Sequence, residues 1–336
     1  MLANLQGVRA LAAIGVVIFH FGLMPATGLP FTVGASGVDL FFVLSGFIIA
    51  HSSSRDPRYF LTHRLIRVVP AYWIATVIAV LFALPNIGMT EAFGWLIQSM
   101  LYLPGPGGRP VLIFVAWTLV YELGFYVLYW LALRFGPRHA PVISLALLVI
   151  LALVHLPGLP GPWPLLLEFG LGIAVYLLTN RSHVLRSVPG SAGLLIAGVG
   201  LVLLLTLPRV TGYDPDDFQD IGRVLTWGLP AGAIILGLVI AEHGGFVVRS
   251  KPVLLLGAAS YAIYLLHPIA IGQLLQLPPN QVPVSWLYLA GAVAVTVALS
   301  LVFHLWIEAP LLRWMRSQLP DRRWTRPHGS AEALNG

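Results

Sequence analysis

The 336-residue sequence contains no cysteine and a single lysine, and only 10% of its residues are charged. Without cysteine there are no disulfides, no thiolate metal sites and no cysteine nucleophile. The shortage of charge says more. A soluble domain carries about a quarter of its residues as Asp, Glu, Lys or Arg. Here 58% are hydrophobic instead, the composition of a polytopic membrane protein whose apolar runs of about 20 residues cross the hydrocarbon. No G-x-S-x-G, P-loop or dinucleotide fingerprint occurs, and no two of His20, Asp39, Glu122 and His267 share the tight spacing of a zinc motif, so no metal is expected. The net charge of +6 sits in short arginine clusters between apolar runs, with no basic face or known binding motif. That excludes a nucleic-acid partner. The N-terminus lacks a basic n-region and a small-residue cleavage site, so residues 1–24 are expected to stay as a first span.

Apolar runs fall near residues 7–24, 35–52, 69–84, 112–134, 141–156, 163–179, 191–207, 226–242, 254–276 and 285–307. The expected fold is therefore all-α, with about ten transmembrane helices. A shorter run, 92–103, ends in "PGPGGRP" and reads as a re-entrant or interfacial segment. Small-xxx-small spacings such as Gly228/Gly232 read as helix packing. Ten crossings put both termini on one side. That side collects Arg9, Arg55, Arg58, Arg64, Arg67, Arg134, Arg138, Arg181, Arg186, Arg249, Lys251, Arg313, Arg316, Arg322, Arg323 and Arg326, against Arg109, Arg209 and Arg223 opposite. By the positive-inside rule both termini are expected in the cytoplasm. One membrane domain, 1–312, is expected, followed by a basic cytoplasmic tail, 313–336.

Several ionisable residues interrupt these runs. Arg9 and His20 are eleven residues apart in "NLQGVRALAAIGVVIFHFG", so on a helix they share a face about 16 Å apart along the axis. Arg9 is either an arginine snorkelling to the interface or a cavity residue; His20 lies too deep to snorkel. Asp39 stands at a similar depth at the start of the second run. It either pairs with His20 or caps its own helix. Arg64 and Arg67 read as topological charges or as a fork for phosphate. Glu122 lies at mid-membrane, where a carboxylate is costly and functional unless held structurally. Glu168, nearer an outer end, tells less. His267 precedes Pro268, so it serves either a backbone carbonyl freed by the proline or a substrate. His304 and Glu308 are four apart and can bond each other.

In order along the chain, Arg9-x10-His20, "GVDLFFVLSGFII" (37–49), "HRLIRVVPAYW" (63–73), "WTLVYELGFY" (117–126), "SYAIYLLHPI" (260–269) and "IEAPLL" (307–312) resemble the acyltransferase 3 family of integral-membrane acyltransferases. The family often has a basic pair ahead of the second arginine; here His63 precedes Arg64, leaving Arg64-x-x-Arg67. The chain is most similar to the stand-alone members, including those of exopolysaccharide operons.

The resemblance implies a multi-pass protein of the bacterial inner membrane. It would take acyl-CoA, most often acetyl-CoA in that family, as co-substrate with no bound cofactor, and pass the acyl group to a hydroxyl of an extracytoplasmic glycan or glycolipid. The donor would meet Arg9, Arg64, Arg67 and Tyr72. His20 would act as general base, oriented by Asp39, with Glu122 holding the acceptor or sharing in proton transfer. Ser45, Trp117, Tyr261 and His267 would line the acceptor site or cavity. The rival class is a transporter or flippase of a glycan or lipid precursor, since midplane polar residues and broken helices also occur there.

Overall fold

The computed structural model describes residues 2–22, 31–53, 57–105, 108–154, 163–181, 187–212, 220–274 and 286–319. Arg55, Arg186, the acidic stretch 214–219 and the tail from 320 onward lie outside the described residues. All regular elements described are helical, as the composition requires of backbone in hydrocarbon. The main helices are α1 (Ala3–Gly22), α2 (Gly37–Ser53), α3 (Phe60–Ala83), α4 (Met89–Met100), α5 (Trp117–Leu133), α6 (Ala140–Val154), α7 (Leu166–Arg181), α8 (Gly190–Thr211), α9 (Leu229–His243), α10 (Lys251–Ala258), α11 (Ser260–Leu274), α12 (Trp286–Phe303) and α13 (Ala309–Ser317).

Among the described residues seven helices are long and apolar enough to cross a membrane, and α10 with α11, bent by 65°, makes up to eight. The other two runs expected to span, 141–156 and 163–179, form the shorter apolar helices Ala140–Val154 and Leu166–Asn180. Helix α4, which overlaps the run expected to be interfacial and starts three residues before it, has 12 residues. It exposes Met89, Phe93 and Ile97 and is tied to α3 by Tyr72, whose hydroxyl donates to the Ser99 carbonyl at 2.6 Å, and by Trp73.

Helix α1 is the hub, packed by α2, α9, α10, α11 and α12. Its sequence allows this: Gly7, Ala10, Ala12, Ala13 and Gly15 leave its backbone accessible to neighbours. A Cβ on Gly37 would lie 2.5 Å from the Ala12 carbonyl oxygen, so only glycine lets α2 start against α1. The start of α1 is held by Glu242 at the end of α9, which accepts from the Ala3 and Asn4 N–H groups at 2.8 Å each. A carboxylate on those unpaired donors suits the positive end of the helix dipole.

Helices α2 and α7 cross with almost no side chain between them. A Cβ on Gly46 would meet the Phe169 carbonyl oxygen at 2.0 Å, and one on Gly172 the Val43 carbonyl oxygen at 2.0 Å. Gly228 and Gly232 also face α7, at Glu168 and Leu171, in the packing role their spacing suggested. These contacts fix which face of α2 is left for α1, α3, α5 and α11, and that face builds the site.

Candidate active site

Five helices enclose a cavity, part of it open to the surface. Each contributes a short helical stripe: Arg9 from α1; Phe41, Ser45 and Ile48 from α2; Arg64, Arg67 and Val68 from α3; Thr118, Glu122 and Tyr126 from α5; Ser260, Tyr261 and Tyr264 from α11. These are i, i+3, i+4 and i+7 steps, so one face per helix supplies the whole lining.

Three guanidinium groups and one carboxylate set the electrostatics. Arg9 Nε donates to Ser260 Oγ at 3.1 Å. Arg64 donates to Ser52 Oγ and lies over the Phe60 ring, 5.6 Å from its centre. Glu122 accepts from Ser45 Oγ at 2.9 Å and from the Tyr126 hydroxyl. The Tyr261 hydroxyl donates to the Val68 carbonyl at 2.8 Å. Three fixed positive charges facing one negative leave the cavity suited to a polyanion.

One turn beyond Tyr261, Tyr264 forms the cavity's wall on α11. Its hydroxyl is 2.8 Å from Thr118 Oγ1 and donates to the Val115 carbonyl at 3.2 Å, while its ring meets Phe41 edge-on. Past it, on the same face of α11, is His267, fully buried. His267 Nε2 is 3.2 Å from His20 Nδ1, and Phe19 and Phe114 pack edge-on against the His20 ring. The histidine pair is not part of the cavity lining; Tyr264, whose ring centre is 5.7 Å from that of His267, stands between.

The structure thus gathers Arg9, Ser45, Arg64, Arg67, Glu122 and Tyr261 in one cavity, and joins His20 to His267 beside it. Tyr72 is stacked on Tyr102, and Trp117 packs edge-on against Tyr121; neither lines the cavity.

Asp39 corrects an expectation. It does not contact His20. Its carboxylate takes both arms of Arg223, Nε at 3.0 Å and Nη2 at 2.7 Å, with both side chains fully buried. Arg223 also lies over Trp227, 4.8 Å from the ring centre, and the fully buried Glu168 is an ionisable neighbour of both. Helical phase explains the difference. Asp39 and Gly46 are two turns apart and share the face that meets α7, whereas Ser45 points about 120° away into the cavity.

Sequence reasoning gave Glu168 little weight, took Arg223 only as an outer-side charge, and passed over Tyr126 and Tyr264. Tyr126 was signalled by its i+4 spacing from Glu122, and Arg223 by being an arginine on the arginine-poor side just before an apolar run.

Comparison with known proteins agrees with this architecture. The model of a family described as an acyltransferase domain matches residues 2–305. The exopolysaccharide production protein ExoZ of Rhizobium meliloti is 34% identical over 277 residues, covering 76% of this chain and 81% of that protein. The putative peptidoglycan O-acetyltransferase YrhL of Bacillus subtilis is 26% identical, covering 92% of this chain and 54% of its own length. The peptidoglycan O-acetyltransferase OatA of Listeria monocytogenes is also 26% identical, covering 79% of this chain and 48% of its own length. The chain thus spans about half the length of these last two. No solved structure matches.

Proposed function

Because the chain belongs to the acyltransferase 3 family of membrane acyltransferases, we propose that it moves an acyl group, acetyl by analogy with its O-acetyltransferase relatives, from acyl-CoA to a hydroxyl of a surface glycan or glycolipid. The donor enters the arginine-lined cavity from the cytoplasm. Its phosphates meet Arg64 and Arg67, and Arg9 next inward. The pantetheine arm runs along Phe41 and Tyr264 and brings the thioester toward the histidine pair, while the acceptor hydroxyl arrives from the outer side.

His20 then accepts the hydroxyl proton as the oxygen attacks the thioester carbonyl carbon. The tetrahedral intermediate collapses with cleavage of the C–S bond. The imidazolium returns the proton to the departing thiolate, so CoA leaves as its thiol. Glu122, held by Ser45 and Tyr126, keeps the arginine cluster in place between donors.

The observation that supports this reading is the pairing of α1 and α11 at two depths. One end of the pair holds Arg9 against Ser260, and the other holds His20 against His267. A polyanion site and a base lie on one helix pair, about 16 Å apart in helical rise.

The test is transfer by purified protein. His20→Gln keeps size and polarity but cannot take the proton. It should bind acyl-CoA normally and lose about 10²–10⁴-fold in transfer. In the unaltered protein the rate should fall at acid pH, since only the neutral ring is a base. Near-normal transfer by folded His20→Gln would refute the mechanism.

A further inference from the structure

With Asp39 committed to Arg223, His20 needs another partner to fix its ring, and the geometry points to one. We propose that His267 is the positioning residue of the transfer reaction, holding His20 in the tautomer that carries its lone pair on Nε2. The inference rests on the reading of His20 as the base, and supplies the residue that makes it one.

The argument is one of donors and acceptors. His20 Nδ1 lies 3.0 Å from the Val16 carbonyl oxygen and 3.2 Å from His267 Nε2. A carbonyl oxygen only accepts, so Nδ1 of His20 must carry the proton. His267 Nδ1 in turn lies 3.3 Å from the Ile263 carbonyl oxygen. Its Nδ1 carries the proton too, and its Nε2 lone pair is left to accept from His20. The opposite tautomers would set nitrogen lone pairs against carbonyl oxygens at both ends of the chain.

The ring is held against its own helix, because the bond to the Ile263 carbonyl ties Nδ1 one turn back along α11. The sequence offered two roles for His267, serving a freed carbonyl or meeting a substrate. The structure gives its two nitrogens two jobs, with Nδ1 on the backbone and Nε2 on His20. When His20 takes up the acceptor's proton, its Nδ1–H bond to His267 becomes charge-assisted and stronger. The help is therefore given as charge develops.

The experiment compares two amides in the purified protein. His267→Asn places its amide where Nδ1 was, so it can serve the Ile263 carbonyl but cannot reach His20. His267→Gln reaches the Nε2 position and offers His20 a carbonyl acceptor. Each variant is measured per acyl-CoA-binding site, which counts only folded protein. His267→Asn should lower kcat by at least about tenfold with the donor KM unchanged; His267→Gln should recover most of the loss. In a His20→Gln background neither substitution should lower transfer further, because the base they position is gone. A purely structural histidine would be rescued by Asn at least as well as by Gln, and that result overturns the proposal. Normal kcat in both variants, with His20→Gln inactive, overturns it too while leaving the base in place. An active His20→Gln instead removes the base reading beneath it.

Discussion

Asp39 sits in the most recognisable motif of the chain, yet the structure gives it a partner that makes it a clamp. Arg223 and Asp39 are both fully buried and bonded through two parallel contacts at 3.0 and 2.7 Å. Asp39→Asn keeps the shape but removes the charge, leaving a guanidinium buried away from water. Breaking a buried pair from one side costs about 3–5 kcal/mol. Glu168 is close enough to take over part of the balance, so the loss should fall near the lower end, about 3 kcal/mol. Adding Glu168→Gln should deepen it. Replacing both partners, Asp39→Asn with Arg223→Met, should recover most of the stability, because a well-packed neutral pair is often as stable as the ions it replaces. The assay is chemical or thermal unfolding in detergent beside transfer measured per folded molecule. The clamp predicts lower stability with transfer per folded molecule within a few-fold of normal. Unchanged stability with abolished transfer would refute it and return Asp39 to the chemistry.

The fold was largely legible because membrane burial is written in composition. The ordered apolar runs located nearly every long helix, and the short run 92–103 was separated from them correctly by its length. The cavity was legible in part because its residues are costly in hydrocarbon: Arg9 and Glu122 stand out in apolar runs for that reason. What a single sequence hides is which costly residues meet. Asp39 and His20 have similar depth, but depth is one coordinate, and the angle around the helix is set by where α7 packs. The phase of Gly46 relative to Asp39 held that information, yet it becomes readable only once Gly46 is known to face Phe169. His267 was ambiguous for a related reason. A histidine before a proline reads as backbone repair, yet its Nδ1 bonds the Ile263 carbonyl rather than the one the proline frees, and its Nε2 meets His20.

The donor site gives the next prediction. Arg64→Ala and Arg67→Ala should each weaken acyl-CoA binding by about 1.5–3 kcal/mol, with a shallower salt dependence, and lysine should restore only part because it lacks the fork; unchanged affinity in the folded double alanine variant would make both arginines merely topological. Orientation gives the last. The chain has no native cysteine, so a single introduced thiol reports against no background. Asn86, in the exposed turn after α3, and Gln318, exposed just beyond α13, belong to opposite sides in the proposed topology. In intact cells an impermeant thiol reagent should label Asn86→Cys and reach Gln318→Cys only after permeabilisation. The stakes go beyond topology, because Arg64 and Arg67 open toward the side that holds Gln318. If Gln318→Cys labels in intact cells and Asn86→Cys does not, the arginine mouth faces outward, where no acyl-CoA pool exists, and the donor path proposed here fails with it.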